Sequence, residues 1–179
     1  MSPVFGKSDD TARCLVELAR DAVEAFVKHR QILEPARELP PTVNRRAGVF
    51  VCLKKFGELR GCIGTFEPTR DNVAEEIVHN AVSAAVRDPR FPPVSQEELK
   101  YLSYSVDILT PYEPVEDLSQ LDPRRYGVIV QSGFRRGLLL PDLEGIDSAE
   151  EQVNIASRKA GISPDEPLHL FRFEVERYE

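Results

Sequence analysis

The sequence has no tryptophan, one methionine, three histidines and three cysteines in 179 residues. Three cysteines, at Cys14, Cys52 and Cys62, are too few and too scattered for a disulfide framework. They predict free thiols in a reducing cytoplasm, with Cys14 and Cys52 as packing residues. No apolar run reaches the roughly 20 residues needed to cross a bilayer. The first ten residues have no basic stretch followed by an apolar one, so no signal peptide is expected. No Walker-type loop, Gly-x-Gly-x-x-Gly, Cys-x-x-Cys or His-x-x-x-His occurs. The sequence thus names no cofactor and carries no local metal-binding motif, which leaves only a Cys/His site assembled from distant residues.

What is present suits a globular chain: 41% hydrophobic and 30% charged residues. The net charge of −7 argues against broad electrostatic capture of nucleic acid. Charge is uneven, with five bases against one acid from Val43 to Thr65, and ten acids against four bases from Asp142 to Glu179.

Apolar residues at helical spacing predict a first helix from Asp10 to Arg30, with Ser8, Asp9 or Asp10 as its cap. A loop containing Pro35, Pro40 and Pro41 follows. Gly48 to Leu53 and Leu59 to Phe66 read as a β-hairpin turning at Phe56-Gly-Glu58. Pro68 and Thr69 open a largely buried helix that stops at Arg87, because Asp88-Pro89 cannot continue it. Tyr101 to Leu109 alternates as a strand. Gly127–Val130 and Gly137–Leu140 form a second hairpin through Ser132-Gly133. Ser148 to Ala160 is a capped helix, and Leu168 to Val175 the final strand. Hairpins interleaved with helices give an α+β fold with mostly antiparallel pairing.

The unusual string is Leu59-Arg-Gly-Cys-Ile-Gly64. Strand alternation sends Arg60, Cys62 and Gly64 to one face, and Leu59, Gly61 and Ile63 to the other. An arginine beside a cysteine favours the thiolate. Two glycines inside a strand mark either a bulge or the close approach of a ligand or a neighbouring backbone. Two readings stay open: a reactive thiol or anion site, or a small buried cysteine with glycines that accommodate a helix. The following helix carries Glu76, His79, Asn80, Ser83 and Arg87 on its polar side, with Glu75 at i, i+4 spacing from His79. A Cys–His pair oriented by a carboxylate is the layout of an activated nucleophile. Asp88 and Arg90 are either ligand-facing groups or a structural pair at a helix stop. Arg135 and Arg136, at the second hairpin, are either an anion grip or a solvated turn.

The hexapeptide resembles the signature of the AMMECR-type domain family, which includes the A component of the AmmeMemoRadiSam system. The likeness extends to Asn44, Gly48-Val-Phe-Val51, His79-Asn-Ala81, Asp88-Pro-Arg-Phe-Pro92, Gly137-Leu-Leu-Leu-Pro141 and Lys159-Ala-Gly161. Asp142 departs from it, standing where the family usually carries glutamine. The resemblance implies two lobes, each with a mostly antiparallel sheet and flanking helices. The larger lobe would hold 1–112 and 166–179, the smaller inserted lobe 113–165, with the motif strand facing the cleft between them. It further implies a place in a modification pathway with a Memo-type protein and a radical S-adenosylmethionine protein, acting on a large substrate.

Two functions are therefore expected in competition. In a thiol enzyme, a transferase or hydrolase, Cys62 is the nucleophile, Arg60 its activator and His79 the acid–base, with Gly61, Gly64, Asn80, Asp88, Arg90 and Arg136 contacting substrate. In a non-catalytic binding or adaptor module, the Arg60/Gly61/Gly64 surface holds a partner.

Overall fold

The computed structural model describes residues 6–35, 41 and 43–179. The expectation that Ser8, Asp9 or Asp10 caps the first helix is corrected: that helix already begins at Gly6, so all three lie inside it. Pro40 of the loop lies outside the described residues. The chain divides into two compact units, Met1–Ile108 with Arg177–Glu179, and Leu109–Glu176. The fold is α+β, with two four-stranded sheets.

In the first unit, α1 (Gly6–His29) buries Leu15, Ala19, Ala22 and Val23 along one stripe. The expectation that Cys14 is a core thiol is corrected: it is exposed, one position off that stripe, between the exposed Arg13 and the buried Leu15. Strands β1 (Val49–Lys55) and β2 (Glu58–Thr65) make the expected hairpin. α2 runs Val73–Val86, starting later than Pro68 because Asn72 caps it by accepting the Glu75 N–H at 2.9 Å. β3 is Leu102–Leu109. Val49, Val51 and Leu53 are fully buried and join Val106, Ile108 and the apolar sides of α1 and α2 in one core. Burying such β-branched and leucine side chains contributes roughly 1.5–3 kcal/mol each.

The second unit contains β4 (Glu113–Val115), β5 (Gly127–Ser132), β6 (Arg135–Leu139), α3 (Ala149–Lys159) and β7 (His169–Phe173). Its core gathers Val128, Val130, Leu139, Val153, Ala156 and Ile162. Ser148 caps α3 as its sequence indicates, accepting from the Glu151 N–H.

The single final strand expected from Leu168 to Val175 is instead two. β7 joins the sheet ordered β4-β7-β5-β6, and β8 (Val175–Tyr178) joins the sheet ordered β2-β1-β3-β8. Only Glu174 separates them. The second crossing between units therefore falls at Glu176–Arg177, not at 165–166.

Candidate functional site

β2 is the edge of its sheet, and its register against β1 slips once. Lys54 opposes Leu59 while Leu53 opposes Gly61, which leaves Arg60 as the extra residue of a bulge. The bulge breaks the alternation that predicts Arg60 and Cys62 on one face. Arg60 is buried, and its guanidinium grips Glu98 through Nε at 2.9 Å and Nη2 at 3.0 Å. Lys55 Nζ shares the same carboxylate at 2.9 Å. Lys55 lies two residues beyond the fully buried Leu53, on the core-facing side of β1. Cys62 pairs across with Cys52, on the other side. Arg60 as electrostatic activator of Cys62 is thus corrected: its charge is matched by Glu98, whose pKa those hydrogen bonds, Arg60's first, hold down at about 2.

The reading of the cysteines as free thiols is corrected as well. Cys52 and Cys62 are directly opposed, with Cα atoms 4.1 Å apart, and are joined by a disulfide. Such a Cα separation is the close, non-hydrogen-bonded type of antiparallel pair, where side chains meet most easily. Sequence reasoning missed the bond because ten residues apart means nothing until the hairpin register places the two sulfurs face to face.

The main chain of Cys62 is fixed from outside the sheet. Its N–H donates to Asp88 Oδ2 at 2.9 Å, and its carbonyl accepts from Arg90 Nη2 at 3.2 Å. Arg90 also donates to Asp88 through Nε at 2.9 Å and Nη2 at 2.7 Å. Asp88 is almost wholly buried, whereas the Arg90 side chain is 53% exposed. Hydrogen bonds from Arg90 foremost, with that from the Cys62 N–H, hold the Asp88 carboxyl well below the usual range against the opposing effect of burial. The structural-pair reading of Asp88-Pro-Arg90 is what the geometry displays. Proline at position 89 shapes a loop that supplies the edge of β2 with the partners an outermost strand lacks.

α2 lies over the other face of β2. A Cβ on Gly61 would stand 2.1 Å from the carbonyl oxygen of Ala84, so only glycine lets the helix come this close. Gly64 instead lies under the Phe50 ring, which a Cβ would meet at 2.2 Å. The space left by both glycines is thus filled by the protein itself. Glu76, buried, accepts Thr65 Oγ1 at 2.7 Å, Thr69 Oγ1 at 2.9 Å, and the N–H groups of Thr69 and Arg70 at 2.8 Å each. Burial pushes its pKa up, but these bonds outweigh it and leave the carboxyl below its ordinary value. Asn80, expected to contact substrate, is buried and donates to the Val49 carbonyl at 2.9 Å and to Thr65 Oγ1 at 3.3 Å. It ties α2 to the hairpin.

His79 is half-buried on α2. Burial first, then the nearby Arg70 charge, lowers its pKa despite Glu75 and Glu76. Because α2 covers the Gly61 face and Cys62 points to the Cys52 face, the imidazole and the sulfur belong to opposite sides of the sheet. The structure brings Cys62, Asp88 and Arg90 together, but it does not bring His79 to Cys62. Arg136 donates to Gln131 Oε1 at 2.8 Å, and Arg135 pairs with Glu166, both within the second unit. Glu98 is the participant that sequence reasoning overlooked. Its signal was legible in Ser95-Gln-Glu-Glu98, a capping pattern in which the Ser95 N–H donates to Glu98 Oε2 at 3.0 Å.

The AMMECR1 family model matches residues 16–179. A protein of Thermotoga maritima is 54% identical over 166 residues, covering 91% of this chain and 95% of that one. A Methanothermobacter thermautotrophicus protein is 41% identical over 182 residues, 94% of each chain. The crystal structure of uncharacterized protein PH0010 from Pyrococcus horikoshii superimposes with a TM-score of 0.86 at 36% identity, covering 94% of this chain and 91% of that one.

Proposed function

This chain belongs to the AMMECR1 family, and from that premise we propose that it is a protein-binding module of a modification pathway, with no catalytic thiol of its own. One observation carries the reading. The motif strand makes its polar contacts within the protein, Arg60 Nε and Nη2 with Glu98, and the Cys62 main chain with Asp88 and Arg90. Such a frame holds a surface rigid, and Cys62 itself stands in a disulfide with Cys52. The surface it holds is the outer side of the hairpin and β3, formed by Phe50, Cys52, Lys54, Cys62, Gly64 and Ser103. Half-buried small and aromatic groups there, rimmed by the exposed Lys54 and Arg90, suit a polypeptide.

The proposed partners are a Memo-type protein and a radical S-adenosylmethionine protein, on the strength of the family likeness. A cytoplasmic location belongs to the same proposal, because S-adenosylmethionine is an intracellular cofactor. The cysteines no longer argue for it. Among the described residues no helix is long and apolar enough to cross a membrane.

Purified Memo-type and radical S-adenosylmethionine proteins, each titrated against this chain by calorimetry, test the reading. Ser103→Arg and Lys54→Glu, both at exposed positions, are expected to weaken binding at least tenfold with melting unchanged. His79→Ala is expected to leave it intact. Undiminished binding in both surface variants, or pathway output lost in His79→Ala while binding persists, would overturn the proposal in favour of catalysis.

A further inference from the structure

We propose that Cys52 and Cys62 form a reversible dithiol–disulfide site, whose reduced form presents two sulfurs as a ready-made chelating pair for a thiophilic centre. The inference goes beyond the binding role and does not rest on it.

Three observations carry it. First, the two cysteines are directly opposed partners on adjacent strands. When the bond opens, both sulfurs stay within bridging distance because the strands, not the bond, set their separation. Second, each strand is held independently. β1 is hydrogen-bonded on both sides, to β2 and β3, and the edge at Cys62 is closed by Asp88 and Arg90. The core residues Val49, Val51 and Leu53 lie on the other face and take no part in the sulfur chemistry. The bond therefore makes and breaks without unfolding anything. Third, both cysteines are half-buried, not sealed in the core, so an incoming thiolate has access.

The redox step is an ordinary exchange. A thiolate of an external dithiol attacks one sulfur of the pair, and the S–S bond breaks with its electron pair leaving on the other sulfur, which takes a proton. The second thiol of the reductant then displaces the mixed disulfide. Two protein thiols result, and the reductant leaves as a cyclic disulfide. In the reduced state a trivalent arsenical, R–As=O, condenses with both thiols. Two As–S bonds form, and the oxygen departs with the two thiol protons as water. Only two neighbouring sulfurs accomplish this stably, so the arsenical reports on adjacency.

The experiment uses the full chain carrying Cys14→Ser, because exposed Cys14 would otherwise contribute an unrelated thiol. Native protein is expected to show no reactive thiol before treatment with dithiothreitol and two afterwards, with an unchanged circular dichroism spectrum. The reduced protein should retain one phenylarsine oxide per chain through washing with a monothiol and release it to a dithiol. Oxidised glutathione should return it to a monomer without reactive thiols. Cys52→Ser or Cys62→Ser should each abolish retention of the arsenical. Reduction that proceeds only in denaturant would make the bond a permanent staple and overturn the proposal. So would a reduced, folded wild-type pair that fails to hold the arsenical, a result that needs no variant.

Discussion

The carboxylate of Asp88 accepts the main-chain N–H of Cys62 across 26 positions of sequence, at 2.9 Å. This bond fastens the loop that ends α2 to the outermost strand of the sheet. It explains why a proline-stiffened Asp-Pro-Arg sequence and the hexapeptide of β2 occur in one chain: each completes the hydrogen bonding of the other.

Asp88→Ala is therefore expected to destabilise the first unit by about 2–3 kcal/mol, because it strands a main-chain donor and the guanidinium of Arg90. Arg90→Ala should cost less, about 1 kcal/mol, since its side chain is more than half exposed and its loss leaves Asp88 the Cys62 bond. Urea unfolding of both variants measures the order. Equal effects would mean that the Arg90 contact, not the main-chain bond, holds the loop.

Glu98 predicts how stability responds to acid. Its folded pKa is held at about 2 by Arg60, against an ordinary value of 4.5. Between those values the unfolded chain binds the proton and the folded chain does not, so stability rises with pH. The contribution is complete above about pH 5 and disappears as pH falls toward about 2. Glu98→Gln should flatten the slope of unfolding free energy in that window and leave it unaltered from pH 6 to 8. A slope unchanged in the variant would separate Glu98 from the acid response.

Gly61→Ala places a methyl 2.1 Å from the Ala84 carbonyl oxygen. Backbone on both sides resists the shift, and a loss of about 2–3 kcal/mol is expected. The second unit repeats the device, for a Cβ on Gly137 would meet the Ala156 carbonyl at 1.9 Å. Gly137→Ala should cost a similar amount. Calorimetric melting of the two variants reads both, and a neutral Gly61→Ala would show that α2 can retreat from the strand.

Much of this was legible in the chain. Alternation and helical spacing place β1, β2, α2 and α3 within a few residues, because each buries one well-defined face. The possibility that glycines of the hexapeptide admit a neighbouring helix is realised at Gly61. Three things were not legible, each for a physical reason. A single extra residue at Arg60 reverses the face of everything before it, and the strand glycines that mark a bulge do not say which residue is the extra one. The cysteine pair depends on register. The polar residues Glu76 and Asn80 look like a solvent face, yet both are buried because Thr65, Thr69 and the Val49 carbonyl satisfy them inside.

The division of the last strands bears on the order in which the chain folds. Arg177 on β8 clasps Asp107 on β3 through two hydrogen bonds, 2.8 and 2.9 Å, across 70 positions of sequence. Everything between them is the second unit with its short connections. If that unit condenses first, the loop closed by β3 and β8 shrinks in effect from tens of residues to a handful, since Thr110 and Glu174 are already bonded at its base. The entropic saving is about 2 kcal/mol. The inserted unit then acts as an internal chaperone for the sheet around it, and a mutation that unfolds it would slow closure of that sheet without touching a single contact within it.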